Sequence, residues 1–198
     1  MGGKGVSGSG EALLLIDALN GFMHPKGSLY CETAKEVVPK MREVLDGARL
    51  YKVPVFYLND AHKDGDMELQ IWGSHAMKGT WEAKVIAELA PRSESEIIEK
   101  RWYSGFTGTD LDARLKMLGV RDVYITGMHT NICDRHTSYD ALVCGYGVAV
   151  VSDATGTFTP EEHKVGLDYL KKMYAARIVT AEEAVKGFAK RSAATARG

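Results

Sequence analysis

Apolar residues follow two different periods along this chain. Short apolar runs with little polar interruption, typical of strands covered on both faces, predict strands at 12–16, 53–58, 96–99, 123–126, 148–152 and 177–179. Between the runs, apolar residues recur at helical spacing. This spacing predicts helices at 33–51, 81–89, 110–118, 131–143, 160–174 and 181–190.

Strand and helix thus alternate about six times. This order predicts an α/β fold of three layers, α/β/α, with a six-stranded, mostly parallel, doubly wound sheet. A chain of 198 residues with 45% hydrophobic content suits one core, and no linker divides it. We expect a flexible Gly/Ser leader at 1–10, a single domain at 11–191 and a frayed tail at 192–198.

Charge and cysteine content narrow the class of partner. A formal net charge of -1 provides no basic field for nucleic acid or an anionic membrane, and no apolar run reaches membrane-spanning length. A small molecule is the expected partner. Three cysteines at unrelated spacings argue against a disulfide framework and favour a reducing compartment, which predicts a cytoplasmic location.

Cys133 lies where the predicted strand 123–126 gives way to the helix 131–143. The first turn of a helix has unpaired N–H groups and favours negative charge, which lowers the pKa of a thiol. This position predicts a nucleophile. The alternative is a small buried cysteine with no chemical role.

Two further residues with catalytic side chains follow predicted strands. Asp17 comes after the first strand and Lys100 after the third, and ligands bind at the carboxyl ends of parallel strands. We expect Asp17 to exchange the proton of Cys133, Lys100 to stabilise the ionised partners, and the backbone N–H groups of His129 and Cys133 to form an oxyanion hole. Taken singly, Asp17 could cap a turn and Lys100 could lie on the surface.

Metal-ligating side chains lie in the segment 59–80, which lacks periodicity and is longer than most connections. Asp60 and His62 are one residue apart in extended chain and can therefore reach the same ion, with His75 as a third ligand. Two imidazoles and a carboxylate suit Zn, while Fe and Mn use similar ligands. The alternative is an ordinary polar loop.

Aromatic residues near these motifs predict a slot for a flat substrate. Phe22 follows the first strand and Trp72 lies between the two histidines of the loop. Each could instead be part of the core.

Five separated motifs together resemble the isochorismatase-like cysteine hydrolases, and within them the nicotinamidase branch. They are LLIDALNGFMHPKGSLY, FYLNDAH, WGSHAMKGTWEAKV, EKRWYSGF and GMHTNICDRHTSYDA, in that order. In this family an Asp, a Lys and a Cys form the catalytic triad, which match Asp17, Lys100 and Cys133.

The resemblance also implies details of the site. The nicotinamidase branch holds a metal through residues that match Asp60, His62 and His75. The substrate ring would lie between Phe22 and Trp72, with Tyr103 as a third contact. The family further implies a non-proline cis peptide bond before the cysteine, between Met128 and His129, and a homo-oligomer.

The implied reaction converts nicotinamide and water to nicotinate and ammonia through a thioester on Cys133. Three departures from the family pattern concern the substrate. His129 stands where nicotinamidases tend to have a small residue, and Asp134 follows the cysteine where an apolar residue is usual. The loop between His62 and His75 is short and lacks the extra histidine that some members use.

Three alternatives stay open at this point. One is another isochorismatase-like cysteine hydrolase that acts on a different amide, a carbamoyl compound or a vinyl ether, which absence of bound metal would favour. A second is an oxygen-activating iron site built from the two histidines and the carboxylate. The third is a thiol redox or binding domain without turnover.

Overall fold

A computed structural model describes residues 10–195, and six parallel strands form its single sheet. The strands are β1 (Glu11–Ile16), β2 (Val55–Asp60), β3 (Glu96–Lys100), β4 (Asp122–Met128), β5 (Gly147–Gly156) and β6 (Arg177–Val179). Their order in the sheet is β3-β2-β1-β4-β5-β6, and every neighbouring pair is parallel. The predicted three-layer fold is confirmed, with a sheet that is wholly parallel among the described residues.

Helices cover both faces of the sheet. They are α1 (Asn20–Met23), α2 (Ala34–Leu50), α3 (Leu69–Trp72), α4 (Leu111–Met117), α5 (Cys133–Val143), α6 (Pro160–Tyr174) and α7 (Ala181–Thr195). Helices α2 and α7 pack on one face, against Leu13 and Leu15 of β1, whereas α4, α5 and α6 pack on the other, against Leu14 and Ile16. Because both faces of β1 are covered, the strand is apolar at consecutive positions.

Two predicted helices differ most from the observed structure. The predicted helix 81–89 is wrong, because only Ala87–Leu89 forms a single 3-10 turn. The backbone there bonds instead to the segment after β1: the N–H groups of Asn20 and Gly21 donate to Lys84 and Glu82. Helix α7 continues to Thr195, past its predicted end at residue 190. Residues 1–9 and 196–198, which include most of the predicted leader and the end of the predicted tail, lie outside the described residues.

The strand order brings four carboxyl ends together. Strands β3, β2, β1 and β4 are neighbours, and they end at or just before Lys100, Asp60, Asp17 and the turn that precedes Cys133. Asp60 and Lys100 are register partners across β2 and β3. The predicted functional residues therefore share one edge of the sheet, the edge where ligands bind in such folds.

Gly127 lets β4 pass close to β1 just before that turn. Its φ of 129° lies in the region that favours glycine, and a Cβ there would lie 1.9 Å from the carbonyl oxygen of Ile16. No other residue fits this backbone.

Among the helices that the structure describes, none combines the length and the apolarity needed to cross a bilayer.

Candidate active site

A buried ammonium group lies at the centre of the site. The side chain of Lys100 is fully buried, and its Nζ lies 2.8 Å from Asp17 Oδ2 and 2.5 Å from Asp60 Oδ1. The same Nζ lies 3.8 Å from Cys133 Sγ. The backbone N–H of Asp60 donates to Asp17 Oδ1 over 2.8 Å. The structure thus brings the three predicted catalytic residues together and adds Asp60 as a second carboxylate on Lys100.

Burial controls the protonation of the two groups that face Lys100. Burial, with a further contribution from the Asp60 carboxylate, raises the pKa of Asp17 to about 6 in spite of Lys100. Burial also raises the pKa of the Cys133 thiol well above its usual value, against the attraction of Lys100. The expectation of a lowered thiol pKa is therefore wrong, because removing water from the sulfur outweighs the attraction of the Lys100 ammonium. At neutral pH Cys133 is a thiol and Asp17 is a carboxylate.

The turn between β4 and α5 presents two backbone N–H groups. The bond between Met128 and His129 is cis, which confirms the expectation from the family resemblance. The carbonyl of His129 accepts from the N–H groups of Ile132 and Asp134 at 2.9 and 3.2 Å. Within the described residues, the N–H groups of His129 and Cys133 donate to no backbone carbonyl. Both donors are therefore available to an oxyanion beside the sulfur.

A second set of donor atoms lies on the other side of Asp60. Asp60, His62 and His75 are buried, and each offers one ligand atom within 4.8 Å of the other two. His75 Nδ1 pairs with the carbonyl oxygen of Gly73 at 2.9 Å, which leaves its Nε2 for a ligand. His62 Nε2 is buried 3.6 Å from Asp60 Oδ2 and has no hydrogen-bond partner among the described residues. Two imidazoles and a carboxylate around such an orphaned nitrogen fit a divalent cation.

Asp66 supports this set and was not found from the sequence. Its Oδ2 lies 3.1 Å from His62 Nδ1 and accepts the backbone N–H of Lys63 at 3.0 Å. Arg101 donates through Nε to Asp66 Oδ1 at 3.0 Å, and this ion pair lowers the pKa of Asp66 below its usual range. A carboxylate on Nδ1 fixes the ring so that Nε2 faces the ligand position. The only signal in the sequence was the four-residue spacing from His62.

Glu68 is a second residue that sequence reasoning missed. Its side chain is buried and lines the same pocket, with Oε2 3.9 Å from His62 Nε2. Burial and the charge of Asp60 raise the pKa of Glu68 to about 7. One of its oxygens, Oε1, has no hydrogen-bond partner within the described part of the chain. Glu68 therefore offers a cation at this place a fourth donor, which is a carboxylate oxygen.

The pocket between the two sets is small and mostly aromatic. Phe22, Trp72 and Tyr103, the three predicted substrate contacts, all line it together with Cys133. The space free of atoms in it, counted together with its open mouth, is about 310 Å³. Trp72 Nε1 donates to Tyr103 Oη at 3.0 Å, and the Trp72 ring stacks on Phe158 at 6.0 Å. Phe158 was not predicted as part of the site.

Comparison with known proteins assigns the chain to a family. The model of the isochorismatase domain matches residues 11–183. The chain belongs to the isochorismatase family. It is 33% identical over 163 residues to nicotinamidase 3 of Arabidopsis thaliana, a match that covers 79% of this chain and 78% of the relative.

Solved structures agree with this assignment. N-carbamoylsarcosine amidase from Thermoplasma acidophilum is 37% identical with a TM-score of 0.81, and the match covers 87% of this chain and 96% of that one. Pyrazinamidase of Pyrococcus horikoshii, solved in complex with zinc, is 29% identical with a TM-score of 0.80 and coverages of 86% and 98%. The protein is therefore an isochorismatase-family hydrolase, as the motifs predicted, and its relatives act on more than one small amide.

Proposed function

We propose that this protein is a metal-containing cysteine amidohydrolase that converts nicotinamide and water to nicotinate and ammonia. The observation that carries the proposal is the shared position of Asp60. One oxygen of its carboxylate contacts Lys100, beside Cys133, and the other faces His62 in the metal-ligating set. A nucleophile and a cation site thus adjoin in one pocket. The relative named nicotinamidase supports the same substrate.

The first half of the reaction forms a thioester. Asp17 takes the proton of the Cys133 thiol while the sulfur attacks the carboxamide carbon. The carboxamide oxygen, on which negative charge develops, accepts hydrogen bonds from the backbone N–H groups of His129 and Cys133. The new acid on Asp17 then donates its proton to the amide nitrogen, the carbon–nitrogen bond breaks, and ammonia leaves. Lys100 stabilises Asp17 in the steps in which it is a carboxylate.

The second half regenerates the thiol. Asp17 accepts a proton from water, the resulting hydroxide attacks the thioester carbon, and the carbon–sulfur bond breaks. The sulfur regains its proton from Asp17, and the carboxylic acid product ionises to nicotinate. The same residue thus acts as base and acid in each half, which suits a pKa close to neutral.

The metal would be held by Asp60, His62 and His75, with Glu68 beside them. Two imidazoles and a carboxylate favour zinc, and iron and manganese accept the same donors. When bound, the ion supplies a positive charge that holds the ring nitrogen of the substrate. Phe22 and Trp72 orient the ring, and Tyr103 positions Trp72 through its hydroxyl.

A second candidate is hydrolysis of a small carbamoyl compound. The identity of 37% to N-carbamoylsarcosine amidase favours it, since the same nucleophile can attack a carbamoyl carbon. The two candidates differ in what the rest of the substrate offers: a ring nitrogen for the ion in one, and a flexible chain in the other. A cytoplasmic location and a homo-oligomer stay predictions.

The proposal is tested by ammonia release from a panel of nicotinamide, pyrazinamide, benzamide and N-carbamoylsarcosine, with metal analysis of the same sample. Nicotinamide should be hydrolysed faster than benzamide, which has no ring nitrogen. Cys133→Ala should abolish turnover, whereas Cys144→Ala, at a partly buried cysteine outside the pocket, should retain it. Full ammonia release by Cys133→Ala would refute the mechanism. Preference for the carbamoyl compound by a metal-free sample would favour the second candidate.

A further inference from the structure

One buried histidine in the pocket has no hydrogen-bond partner among the residues that the structure describes. The ring of His129 lines the pocket beside Cys133, and its residue is only 5% exposed. Neither Nδ1 nor Nε2 bonds to any atom of the described residues. Buried polar side chains nearly always have a partner in the protein or a ligand, so this one requires an explanation.

Apolar rings hold the imidazole in place. Phe158 stacks on His129 with ring centroids 4.3 Å apart and planes 23° from parallel. Phe22 meets it edge to face at 5.7 Å and 88°. These rings provide packing and no conventional hydrogen bond. An aromatic side chain without nitrogen would satisfy the packing equally well, so packing alone does not account for histidine here.

The imidazole is uncharged in this environment. Burial, helped by the ammonium of Lys100 and opposed by the carboxylate of Asp60, lowers the pKa of His129 to about 4. At neutral pH the ring therefore presents one N–H donor and one lone pair. The surrounding aromatic rings would not solvate a charge. This side of the pocket therefore favours an uncharged polar group as the partner of His129.

We propose that His129 is a specificity-determining residue that hydrogen-bonds an uncharged polar group on the body of the substrate. The preferred substrate class is then a small aromatic amide that carries a hydroxyl or an oxo group besides the reacting carboxamide. This inference rests on the proposed amidohydrolase function. It departs from nicotinamide, whose single ring nitrogen is assigned to the cation and whose other ring edges are C–H.

A hydrogen bond of this kind can make the enzyme discriminate strongly between substrates. A site that hydrogen-bonds a substrate group rejects the analogue that lacks it, because the buried partner is left unpaired. Nicotinamide would leave His129 unpaired, whereas a substituted amide would not. The substituted amide should therefore have the higher kcat/KM.

The test compares the metal-loaded wild type with His129→Phe, which keeps a ring for Phe158 to stack on and removes both nitrogens. Probes are nicotinamide, pyrazinamide, and the 2-hydroxy and 6-hydroxy derivatives of nicotinamide, with ammonia release as the assay. In the wild type at least one polar-substituted probe should exceed nicotinamide in kcat/KM by about tenfold or more. In His129→Phe that ratio should fall to near one, through loss of the substituted probe. The control His24→Phe, at a ring outside the pocket that meets Trp81 edge to face, should keep the wild-type ratio.

The inference is overturned if nicotinamide is the best probe of the wild type, or if His129→Phe keeps the preference. Either result leaves the proposed function standing, provided that Cys133→Ala is inactive. If instead no probe releases ammonia, the proposed function fails separately. Calorimetric binding of the same probes to the wild type and to His129→Phe then decides the inference, since the preference must appear in affinity and disappear in the variant.

Discussion

Replacing Lys100 with methionine should both destabilise the protein and abolish turnover. The fully buried ammonium is the counter-charge for Asp17 and Asp60, at 2.8 and 2.5 Å. At an effective dielectric constant of 20, unit charges 2.8 Å apart attract by about 6 kcal/mol, of which burial of the ions consumes several kcal/mol. Removing one partner of a buried ion pair costs about 3–5 kcal/mol. We expect the free energy of unfolding to fall by about that amount.

Urea denaturation of chelator-treated protein measures this loss. Lys78→Met is the matched control, because its ammonium pairs with Glu99 while half exposed, and should change stability little. The double variant Lys100→Met/Asp17→Asn should be more stable than Lys100→Met alone, since it removes one of the two buried carboxylates left without a counter-charge. A double variant that is less stable than Lys100→Met, or a single variant as stable as the wild type, would refute the electrostatic account of this centre.

Three further predictions concern proton transfer, the metal and the backbone. Since only ionised Asp17 accepts the thiol proton, kcat/KM should rise with pH through about 6; a rate independent of pH from 5 to 7 would contradict this role. Asp66→Asn should weaken metal affinity about 10- to 100-fold by chelator competition, with the exposed Asp64→Asn unchanged; equal affinities would exclude the orienting role on His62. Gly127→Ala should lower the melting temperature or prevent folding, because its Cβ would overlap the Ile16 carbonyl; a stable variant would show that the strands can separate there.

The sequence was most informative where one physical constraint controls a segment. Burial on both faces makes β1 apolar from Ala12 to Ile16, and the polar residue that ends this run, Asp17, then lies at the ligand edge. The ends of two other predicted strands located Lys100 and the turn before Cys133, although β3, the strand before Lys100, lies at the edge of the sheet and is partly exposed. In a parallel sheet the carboxyl ends of all strands lie along the same edge. The three side chains were therefore expected to meet wherever their strands are close in the sheet.

Contacts between distant segments were less predictable. The segment 81–89 has a helical pattern, but its backbone bonds to Asn20 and Gly21, and this long-range pairing overrides local preference. Asp66 and Arg101 resemble ordinary surface charges until the fold places the carboxylate on His62. The prediction of a lowered pKa for Cys133 was wrong for a related reason. Local sequence predicts that Cys133 lies at a helix N-terminus, but it does not predict how deeply the thiol is buried.

The most direct test of the account is mass spectrometry of the enzyme quenched with acid during turnover of an amide that it hydrolyses. We expect the peptide that carries Cys133 to gain the mass of the substrate acyl group, with ammonia already released. The adduct should be absent from Cys133→Ala, which should release no ammonia. Continued ammonia release by Cys133→Ala, with no acyl group on any peptide, would contradict the central claim.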